Sequence, residues 1–269
     1  MPRKVLSYAA LTLVLPWAGL AQNITVTLAD KPVLKARLES GVVKARDRDQ
    51  VEQSLFSGVG CAIDRQQVTH NSANLICTLP GESASAIIVG GHLDFAHEGQ
   101  GIVDDWSGVS LLPSLYQTLK KEPRKHTYIF VAFEAEETGL EGSGQYVRKM
   151  TKENKASTRA FVNLECLGMG PTVVWQSRAA RTLLDRLYEV AGSLGTTMNG
   201  VNVDQFGDDD SHPFLSAHIP VVTLHSLTPE NLKVIHSRRD NLGAIDMDQY
   251  YASYKLIAMY LAYLDQKTE

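Results

Sequence analysis

The chain has 269 residues, of which 44% are hydrophobic and 21% are charged, so it is long enough to bury one large core. Its formal net charge of -4 provides no broad positive field, which argues against nucleic acid and against stable membrane association as partners. Residues 22–269 contain no internal repeat, low-complexity tract or long linker, and we expect them to form a single domain.

The first 21 residues are typical of a secretory signal peptide. Arg3 and Lys4 precede an apolar run over residues 5–17, and small residues favour cleavage after Ala21. The alternative is a membrane anchor, but the run is shorter than the roughly 20 residues needed to span a bilayer, and a proline interrupts it. We therefore predict a signal peptide over 1–21 and a secreted or periplasmic location.

The polar region that follows, up to residue 58, predicts one helix over Asp47 to Ser57. Its apolar residues Val51, Leu55 and Phe56 fall on one side, and we expect the helix to pack at an edge of the fold.

Three cysteines follow the signal-like segment. Cys61 and Cys77 lie in two largely apolar segments, 59–63 and 75–79. If these segments pair as strands, the two thiols could form a disulfide, which export would permit; the alternative is two buried free thiols. Cys166 is left over, and we expect it to pack in the core.

From residue 83 onward, short apolar runs alternate with amphipathic stretches. The runs at 86–90 and 127–133 are rich in β-branched or aromatic residues, as expected for strands buried on both faces, and shorter runs occur at 161–164 and 220–224. Helical spacing predicts helices near 112–119 and 183–191, and a long helix over 247–264. Such alternation indicates an α/β fold with a mostly parallel sheet between helices and a site at the carboxyl ends of its strands.

Metal-binding residue types directly follow most of these strands. His92 and Asp94 follow the first run and share a face of the extended chain, so Asp94 can accept a hydrogen bond from one ring nitrogen while the other binds a metal. Asp104 and Asp105 come just before the next helix. They could cap that helix, or one could bridge two cations while the other faces the helix.

Three acidic residues, Glu134, Glu136 and Glu137, follow the run at 127–133. If they are buried without a cation, their repulsion is costly, and a bound dication would remove that conflict. Glu165 ends the next run, and a histidine at 236 is followed by an aspartate at 240.

Histidine and carboxylate ligands in these positions suit zinc. Five ligands can hold two ions that share a bridging carboxylate and polarise one water. A further carboxylate, free of metal, must then take the proton from that water. Of Glu136 and Glu137, one would face the metal and the other the water.

Together these residues resemble the M28 family of zinc peptidases, from about Gly81 to the C-terminal helix. The order and spacing of the motifs match throughout. The matching motifs are Gly91-His92-Leu93-Asp94, Val103-Asp104-Asp105-Trp106-Ser107-Gly108, Glu136-Glu137-Thr138-Gly139-Leu140-Glu141-Gly142-Ser143, Asn163-Leu164-Glu165, Asp210-Ser211-His212-Pro213-Phe214 and Ile235-His236-Ser237-Arg238-Arg239-Asp240.

The resemblance implies a three-layer α/β/α sandwich with a mixed, mostly parallel central sheet. It implies two zinc ions, although one is an alternative, with Asp104 as the bridge and Glu136 as the general base. It also implies a cis bond between Asp104 and Asp105 and an Asp94 carboxylate that orients the first histidine. The remaining implied ligands are His92 and Glu165 on one ion and Glu137 and His236 on the other. The residues expected beside the site or its substrate are Asp105, Asp210, His212 and Asp240.

Three departures from the family pattern bear on these roles. Relatives usually carry Asp where this chain has Glu165, so that zinc could sit differently or bind more weakly. Relatives often have an oxyanion-stabilising Tyr where this chain has Phe206 or Ile235, and His212 could substitute for it or be an ordinary loop residue. In the acidic run 208–210, we expect Asp210 alone to be functional.

We therefore predict a zinc-dependent, aminopeptidase-like exopeptidase that acts on peptides with a free N-terminus. Two alternatives remain: a glutaminyl cyclase-like acyltransferase with a single zinc, which the unusual Glu165 keeps open, and a non-catalytic peptidase-like binding domain. The sequence predicts neither the preferred N-terminal residue nor the oligomeric state.

Overall fold

An eight-stranded mixed sheet lies at the centre of the protein, which we describe from a computed structural model over residues 8–15 and 22–268. The strand order is β3-β4-β6-β5-β7-β10-β8-β9. The strands are β3 (Ile63–Gln67), β4 (Ala73–Leu79), β5 (Ala86–His92), β6 (Thr127–Phe133), β7 (Thr158–Leu164), β8 (Val173–Val174), β9 (Asn199–Gly200) and β10 (Val221–His225). The four central strands are parallel, whereas β4 pairs antiparallel with β3 and β6, and β8 with β10.

Helices cover both faces of this sheet. They are α1 (Lys31–Glu39), α2 (Ala45–Gly58), α3 (Ser107–Val109), α4 (Leu112–Leu119), α5 (Glu141–Lys149), α6 (Lys152–Ser157), α7 (Arg181–Ser193), α8 (Ser211–Ser216) and α9 (Met247–Lys267). Short 3-10 turns form at Leu232–Val234 and Leu242–Ala244, and an irregular π turn forms at Ile102–Trp106. Within the described residues, no helix combines the length and apolar character needed to span a bilayer.

Alternating residues of the buried strands build two different apolar clusters. Ile87 and Val89 of β5 belong to the larger cluster, which contains residues of α4, α7 and α9. Ile88, between them, belongs to the smaller cluster with residues of α5 and α8. Because successive side chains of a strand point to opposite faces, this division separates the two outer layers. The predicted three-layer α/β/α sandwich and its mostly parallel sheet are therefore confirmed.

The predicted strands and helices are present, with shifted ends. β5 continues two residues beyond the predicted run, to His92, and β7 begins at Thr158 rather than Phe161. Glycine lets neighbouring groups approach this end of β5 closely, since a Cβ at Gly90 would lie 2.5 Å from the Phe133 ring and one at Gly91 would lie 2.7 Å from Oδ2 of Asp105. The first histidine of the site therefore belongs to the strand itself.

The prediction of only one helix before residue 58 was wrong. The predicted helix exists as α2, but α1 precedes it, with only Leu34 and Leu38 buried. A short helix with two buried residues gives too weak a periodic signal to stand out from its polar neighbours. On α2 the fully buried residues other than Phe56 are charged, Arg48 and Glu52, so the apolar pattern identified only part of the buried face.

Two further strands precede these helices and form a separate antiparallel pair. They are β1 (Tyr8–Leu15) and β2 (Gln22–Ala29). β1 lies inside the predicted signal peptide, whereas residues 1–7 and 16–21, with the predicted cleavage site, lie outside the described residues. The signal peptide and the single domain over 22–269 stay predictions.

The predicted disulfide between Cys61 and Cys77 is present. The expected strand pairing of 59–63 with 75–79 is only partly right, because β3 begins at Ile63, which lies opposite Cys77, and Cys61 precedes the strand. It closes a loop with a sequence separation of 16. Cross-linking a loop of this length removes conformational entropy from the unfolded chain. We expect the double substitution Cys61→Ser and Cys77→Ser to lower the free energy of unfolding by about 3 kcal/mol.

Urea unfolding of the oxidised protein and the double variant measures this difference. Wild-type protein unfolded with reductant should match the variant, which controls for the two new hydroxyl groups. Equal midpoints for the oxidised protein and the variant would contradict the prediction.

Candidate metal centre and cleft

Two overlapping groups of residues whose side chains can bind a metal ion meet at the carboxyl ends of β5, β6 and β7. The first ligand group is His92, Asp104 and Glu165, and the second ligand group is Asp104, Glu137 and His236; the ligand atoms within each group lie within 4.8 Å of one another. His92 ends β5, and Glu165 directly follows β7. The sheet thus brings together residues that are up to 144 positions apart in the sequence, from His92 to His236.

Asp104 belongs to both groups, and each of its oxygens faces a different histidine. Oδ1 lies 3.1 Å from Nε2 of His92, and Oδ2 lies 3.0 Å from Nε2 of His236. The groups are completed by Glu165, with Oε1 3.5 Å from His92 Nε2, and by Glu137, with Oε2 3.2 Å from His236 Nε2. A carboxylate with its two oxygens directed to two separate sites is the arrangement that bridges a pair of metal ions.

Glu136 belongs to neither group but lies next to the first one. Its Oε2 is 3.9 Å from Nε2 of His92, and the side chain lines the cleft described below. For the protein side chains alone, burial and nearby carboxylates, first Asp210, together raise the pKa of Glu136 to about 10 against the attraction of His92. Nearby dications would lower this pKa and make the carboxylate available as a base.

The carboxylates of the two ligand groups are crowded together, and bound cations would offset their negative charge. Burial raises the pKa values of Glu165 and Glu137, and neighbouring carboxylates, among them Asp104, add to this effect. Oε2 of Glu165 is buried and has no hydrogen-bond partner among the described residues. A buried oxygen without a donor is costly, and a metal ion would satisfy it. The donor set of imidazole nitrogens and carboxylate oxygens is that of zinc.

The histidines predict how metal binding depends on pH. A hydrogen bond to Asp104 raises the pKa of His236 to about 9 against partial burial, and a histidine binds metal only in its neutral form. Below that pKa the metal must displace a proton, so the affinity falls as the pH falls. We expect the affinity for Zn²⁺ to rise between pH 6.5 and about 9, by about tenfold per pH unit for each proton displaced.

Competition with a chelator of known pH dependence measures this slope. The exposed His70 provides a control, since His70→Gln should leave the slope unchanged while His236→Gln should reduce it. An affinity that is constant over this range would contradict the prediction.

Three further aspartates hold the backbone around the ligands. The carboxylate of Asp105 is fully buried and accepts hydrogen bonds from the N–H groups of His92, Gly108 and Cys166, at 3.2, 3.1 and 3.0 Å. It therefore ties the ends of β5 and β7 to the start of α3, as expected of an aspartate that faces the helix. The bond between Asp104 and Asp105 is cis, as the family resemblance implies.

Asp94 and Asp240 hold other parts of the centre. Ring Nδ1 of His92 lies 3.0 Å from the backbone oxygen of Asp94 but 3.5 Å from its carboxylate, so the predicted bond to the carboxylate is the weaker contact. That carboxylate instead accepts the N–H groups of Glu136 and Glu137, at 3.0 and 3.1 Å. The carboxylate of Asp240 accepts the N–H groups that start the π turn, including that of Asp104 at 3.3 Å.

The three aspartates of the acidic run at 208–210 lie in three different environments. Asp210 is fully buried, and burial raises its own pKa to about 8. Asp209 was not expected to act, but it is also buried, and its carboxylate accepts hydrogen bonds from Asn163 and Thr223, so it joins this loop to β7 and β10. His212 lines the cleft as a half-exposed residue, with Nδ1 3.3 Å from the carboxylate of Asp208.

The metal centre opens into a cleft of about 560 Å³. One wall of this cleft is apolar and includes Trp175, Val203 and Leu227. Cys166 is buried in the same cluster, as the expected core residue, and its Sγ lies 3.3 Å from Oε1 of Glu165. Sequence reasoning missed this wall, because its residues come from separate loops with no shared period. The other large apolar side chains that line the cleft are Leu140, Phe206, Leu232 and Ile235.

Sequence reasoning also missed His225, which lines the same cleft at the end of β10. Its Nδ1 accepts the N–H of Leu227 at 3.1 Å, and its Nε2 donates to the carbonyl oxygen of Val201 at 3.1 Å. Burial lowers its pKa to about 4, so the ring is neutral and both nitrogens are occupied. His225 therefore shapes the cleft rather than binding metal.

The chain matches proteins of known family over most of its length. The family model for peptidase family M28 matches residues 74–261. An aminopeptidase of Pseudomonas aeruginosa is 34% identical over 198 residues, which are 68% of this chain and 36% of that protein. The chain therefore spans only about a third of the length of this relative.

Two solved structures share the fold. The LapA aminopeptidase of Legionella pneumophila superimposes with a TM-score of 0.80 and 18% identity, over 89% of this chain and 73% of LapA. The glutaminyl cyclase of Porphyromonas gingivalis superimposes with a TM-score of 0.71 and 18% identity, over 86% of this chain and 96% of the cyclase. The family match covers more than half of the sequence and contains all five residues of the two ligand groups, and the chain belongs to peptidase family M28.

Proposed function

We propose that the protein is a zinc-dependent aminopeptidase that hydrolyses the N-terminal peptide bond of peptides. The carrying observation is the shared carboxylate of Asp104 between two histidine-carboxylate groups, with Glu136 beside them and outside both. A centre of this composition suits two zinc ions, and family membership supports hydrolysis.

The ligand residues and Glu136 divide the chemistry between them. When bound, the zinc ions would polarise a water and the substrate carbonyl. Glu136 takes the proton from the attacking water and returns it to the departing amine, and Asp94 holds the backbone of Glu136 for this transfer. The Glu136 side chain lines the cleft but is only 13% exposed, which limits competition from bulk water for that proton.

The cleft supports a preference for an apolar first residue. Its apolar wall presents Trp175, Val203 and Leu227, all buried in one apolar cluster, and no basic residue lines the cleft among the described residues other than histidines. An apolar side chain gains free energy of transfer in such a pocket. The carboxylates that line the same cleft, among them Glu136 and Glu137, favour the positive charge of a free N-terminus.

A second candidate is a glutaminyl cyclase-like acyltransferase. The fold match to the Porphyromonas gingivalis glutaminyl cyclase favours it, since it covers nearly that whole chain. The presence of Glu165 in the first ligand group also supports a centre with a single zinc ion, because its side chain is longer than that of an aspartate and alters that site.

Zinc analysis of the purified protein, together with turnover of aminoacyl and glutaminyl reporter peptides, separates these candidates. The proposal expects two zinc ions per chain, release of free amino acids, and faster release of leucine than of aspartate or lysine. One zinc ion with a pyroglutamyl product would favour the cyclase. Stoichiometric zinc with neither product would favour the non-catalytic binding domain.

We also propose that the protein acts outside the cytosol. The disulfide between Cys61 and Cys77 supports an oxidising compartment, and the residues before Gln22 have the composition of a signal peptide. Fractionation and N-terminal sequencing of the native protein test this. A cytosolic protein with an intact N-terminus would contradict it.

A further inference from the structure

A buried arginine reaches the back of the metal centre from outside the part of the chain that matches the family. Arg48 lies on α2, well before residue 74, where the family match begins. Its side chain is 0% exposed. A buried guanidinium is tolerated only when hydrogen bonds and charges compensate for the lost water, so its partners indicate why it is there.

Those partners are backbone carbonyls of a single loop, residues 93–101. Nη1 of Arg48 donates to the carbonyl oxygen of Leu93 at 3.1 Å. Nη2 donates to the carbonyl oxygens of Gln100 and Gly101, both at 2.6 Å. One planar side chain thus holds the first residue and the last two residues of the loop, which is the geometry that a guanidinium provides and an ammonium does not.

Both ends of this loop lead directly to metal-ligand residues. Leu93 follows His92, and Gly101 precedes Asp104 by three residues. His92 belongs to the first ligand group, and Asp104 is shared by both groups. A displacement of any of the three held carbonyls would therefore shift the chain next to a proposed ligand.

The guanidinium is itself fixed by packing and charge. Its carbon lies 4.2 Å from the ring centroid of Phe95 and 5.3 Å from that of Trp106. Gly101 leaves room for this packing, since a Cβ there would lie 2.3 Å from Cβ of Phe95. Burial lowers the pKa of Arg48 to about 10, and the charges of nearby aspartates, first Asp240, oppose that effect, so the group stays charged at neutral pH.

We propose that Arg48 is a positioning residue for the metal centre, which sets the placement of His92 and Asp104 by holding the carbonyl oxygens of Leu93, Gln100 and Gly101. This inference rests on the proposed function, because it requires His92 and Asp104 to bind zinc. It assigns to the N-terminal helix α2 a direct part in a site whose ligands all lie in the matched region.

The test compares Arg48→Met, which removes the charge and the donors, with Arg48→Lys, which keeps the charge but not the planar fork. We expect Zn²⁺ affinity, measured by chelator competition, to fall by roughly 10–100-fold in Arg48→Met, as for other partners that orient ligands, and by less in Arg48→Lys. The visible absorption spectrum of the Co²⁺-loaded protein should change in both variants, since it reports ligand geometry. Turnover by these variants should fall because kcat is lower, while KM changes little.

Glu52→Gln is the matched control. Glu52 is fully buried on the same face of α2, one turn after Arg48, and its carboxyl oxygens make no hydrogen bond to any of these carbonyls. Its substitution is expected to leave the Zn²⁺ affinity and the Co²⁺ spectrum unchanged, even where the melting temperature shifts.

If Arg48→Met does not fold, Arg48→Lys and Phe95→Leu decide the question, since Phe95 is only half-buried and its ring supports the guanidinium. Folded variants with wild-type Zn²⁺ affinity and Co²⁺ spectrum, and only a lower melting temperature, would overturn the inference and leave Arg48 a structural role. A wild-type protein that binds no zinc would overturn the proposed function, and this inference with it.

Discussion

The substitution Glu136→Gln is expected to reduce kcat by roughly 10²–10⁴-fold, the usual contribution of a general base. Gln keeps the shape of the side chain but cannot take a proton. Glu136 belongs to neither ligand group, although its carboxylate lies 3.9 Å from the ring of His92. The variant should therefore retain the zinc content of the wild-type protein, and KM should change little, because the loss is confined to the chemical step.

The control for this experiment is Glu134→Gln. Glu134 follows the same strand, and it is partly buried, yet it belongs to neither ligand group and does not line the cleft. This substitution tests whether the loss of any carboxylate that follows β6 would impair the enzyme. We expect the turnover of Glu134→Gln to be close to that of the wild-type protein. A Glu136→Gln protein with wild-type turnover and full zinc would rule out Glu136 as the base.

The parts of the site that the sequence predicted are those at strand ends. The apolar runs that come just before His92 and Glu165 mark buried strands, and the parallel sheet brings their carboxyl ends together. Asp104, Glu137 and His236 lie in turns and loops, and their placement follows from motif order rather than from periodicity. The structure brings all five residues into the two predicted groups, whereas their roles as ligands stay predictions.

The parts that the sequence did not predict depend on packing between distant loops. The cleft wall around Trp175 and Val203 comes from separate segments, so no local pattern marks it. Arg48 was missed for a related reason: on a polar helix a charged residue is read as solvent-exposed, although here it is fully buried. Its role becomes visible only when the carbonyls of the 93–101 loop are placed around it.

Asp94 shows the limit of reasoning from spacing. Because His92 and Asp94 are two residues apart, an extended strand would place them on one face, and the carboxylate of Asp94 was expected to accept a hydrogen bond from the ring of His92. The strand ends at His92, so the backbone turns there, and the carbonyl of Asp94 rather than its carboxylate meets the ring. The carboxylate is then free to hold the backbone of Glu136 and Glu137.

The substitution Asp104→Asn is expected to weaken both metal sites at once. Asn keeps the shape of the side chain but loses its charge, and its amide nitrogen cannot bind a cation. The ligand group that faces this nitrogen therefore loses a ligand, and the group that faces the remaining oxygen loses a negative charge. The loss of zinc affinity should exceed the roughly 10–100-fold effect of removing a residue that only orients a ligand. Zinc content should fall below that of Glu165→Gln or His236→Gln, each of which alters a single group.

Thermal unfolding with and without Zn²⁺ gives a second measurement of the same effect. A metal that binds only the folded protein raises its melting temperature, so added Zn²⁺ should stabilise the wild-type protein strongly and Asp104→Asn little. Without metal, the variant should also lose a pH-dependent contribution. Although burial opposes it, hydrogen bonds from His236 and His92 hold the pKa of Asp104 below its usual 3.8, so this carboxylate stabilises the folded protein above that pH and loses the effect as the pH falls.

Asp185→Asn is the control, since Asp185 pairs with Arg181 on the surface of α7, away from the centre. It should respond to Zn²⁺ as the wild-type protein does. If Asp104→Asn also bound two zinc ions and gained the same stability from them, Asp104 would not be the bridge. The two ligand groups would then have to act as separate sites, and a water shared between the ions would no longer explain why Glu136 lies beside them.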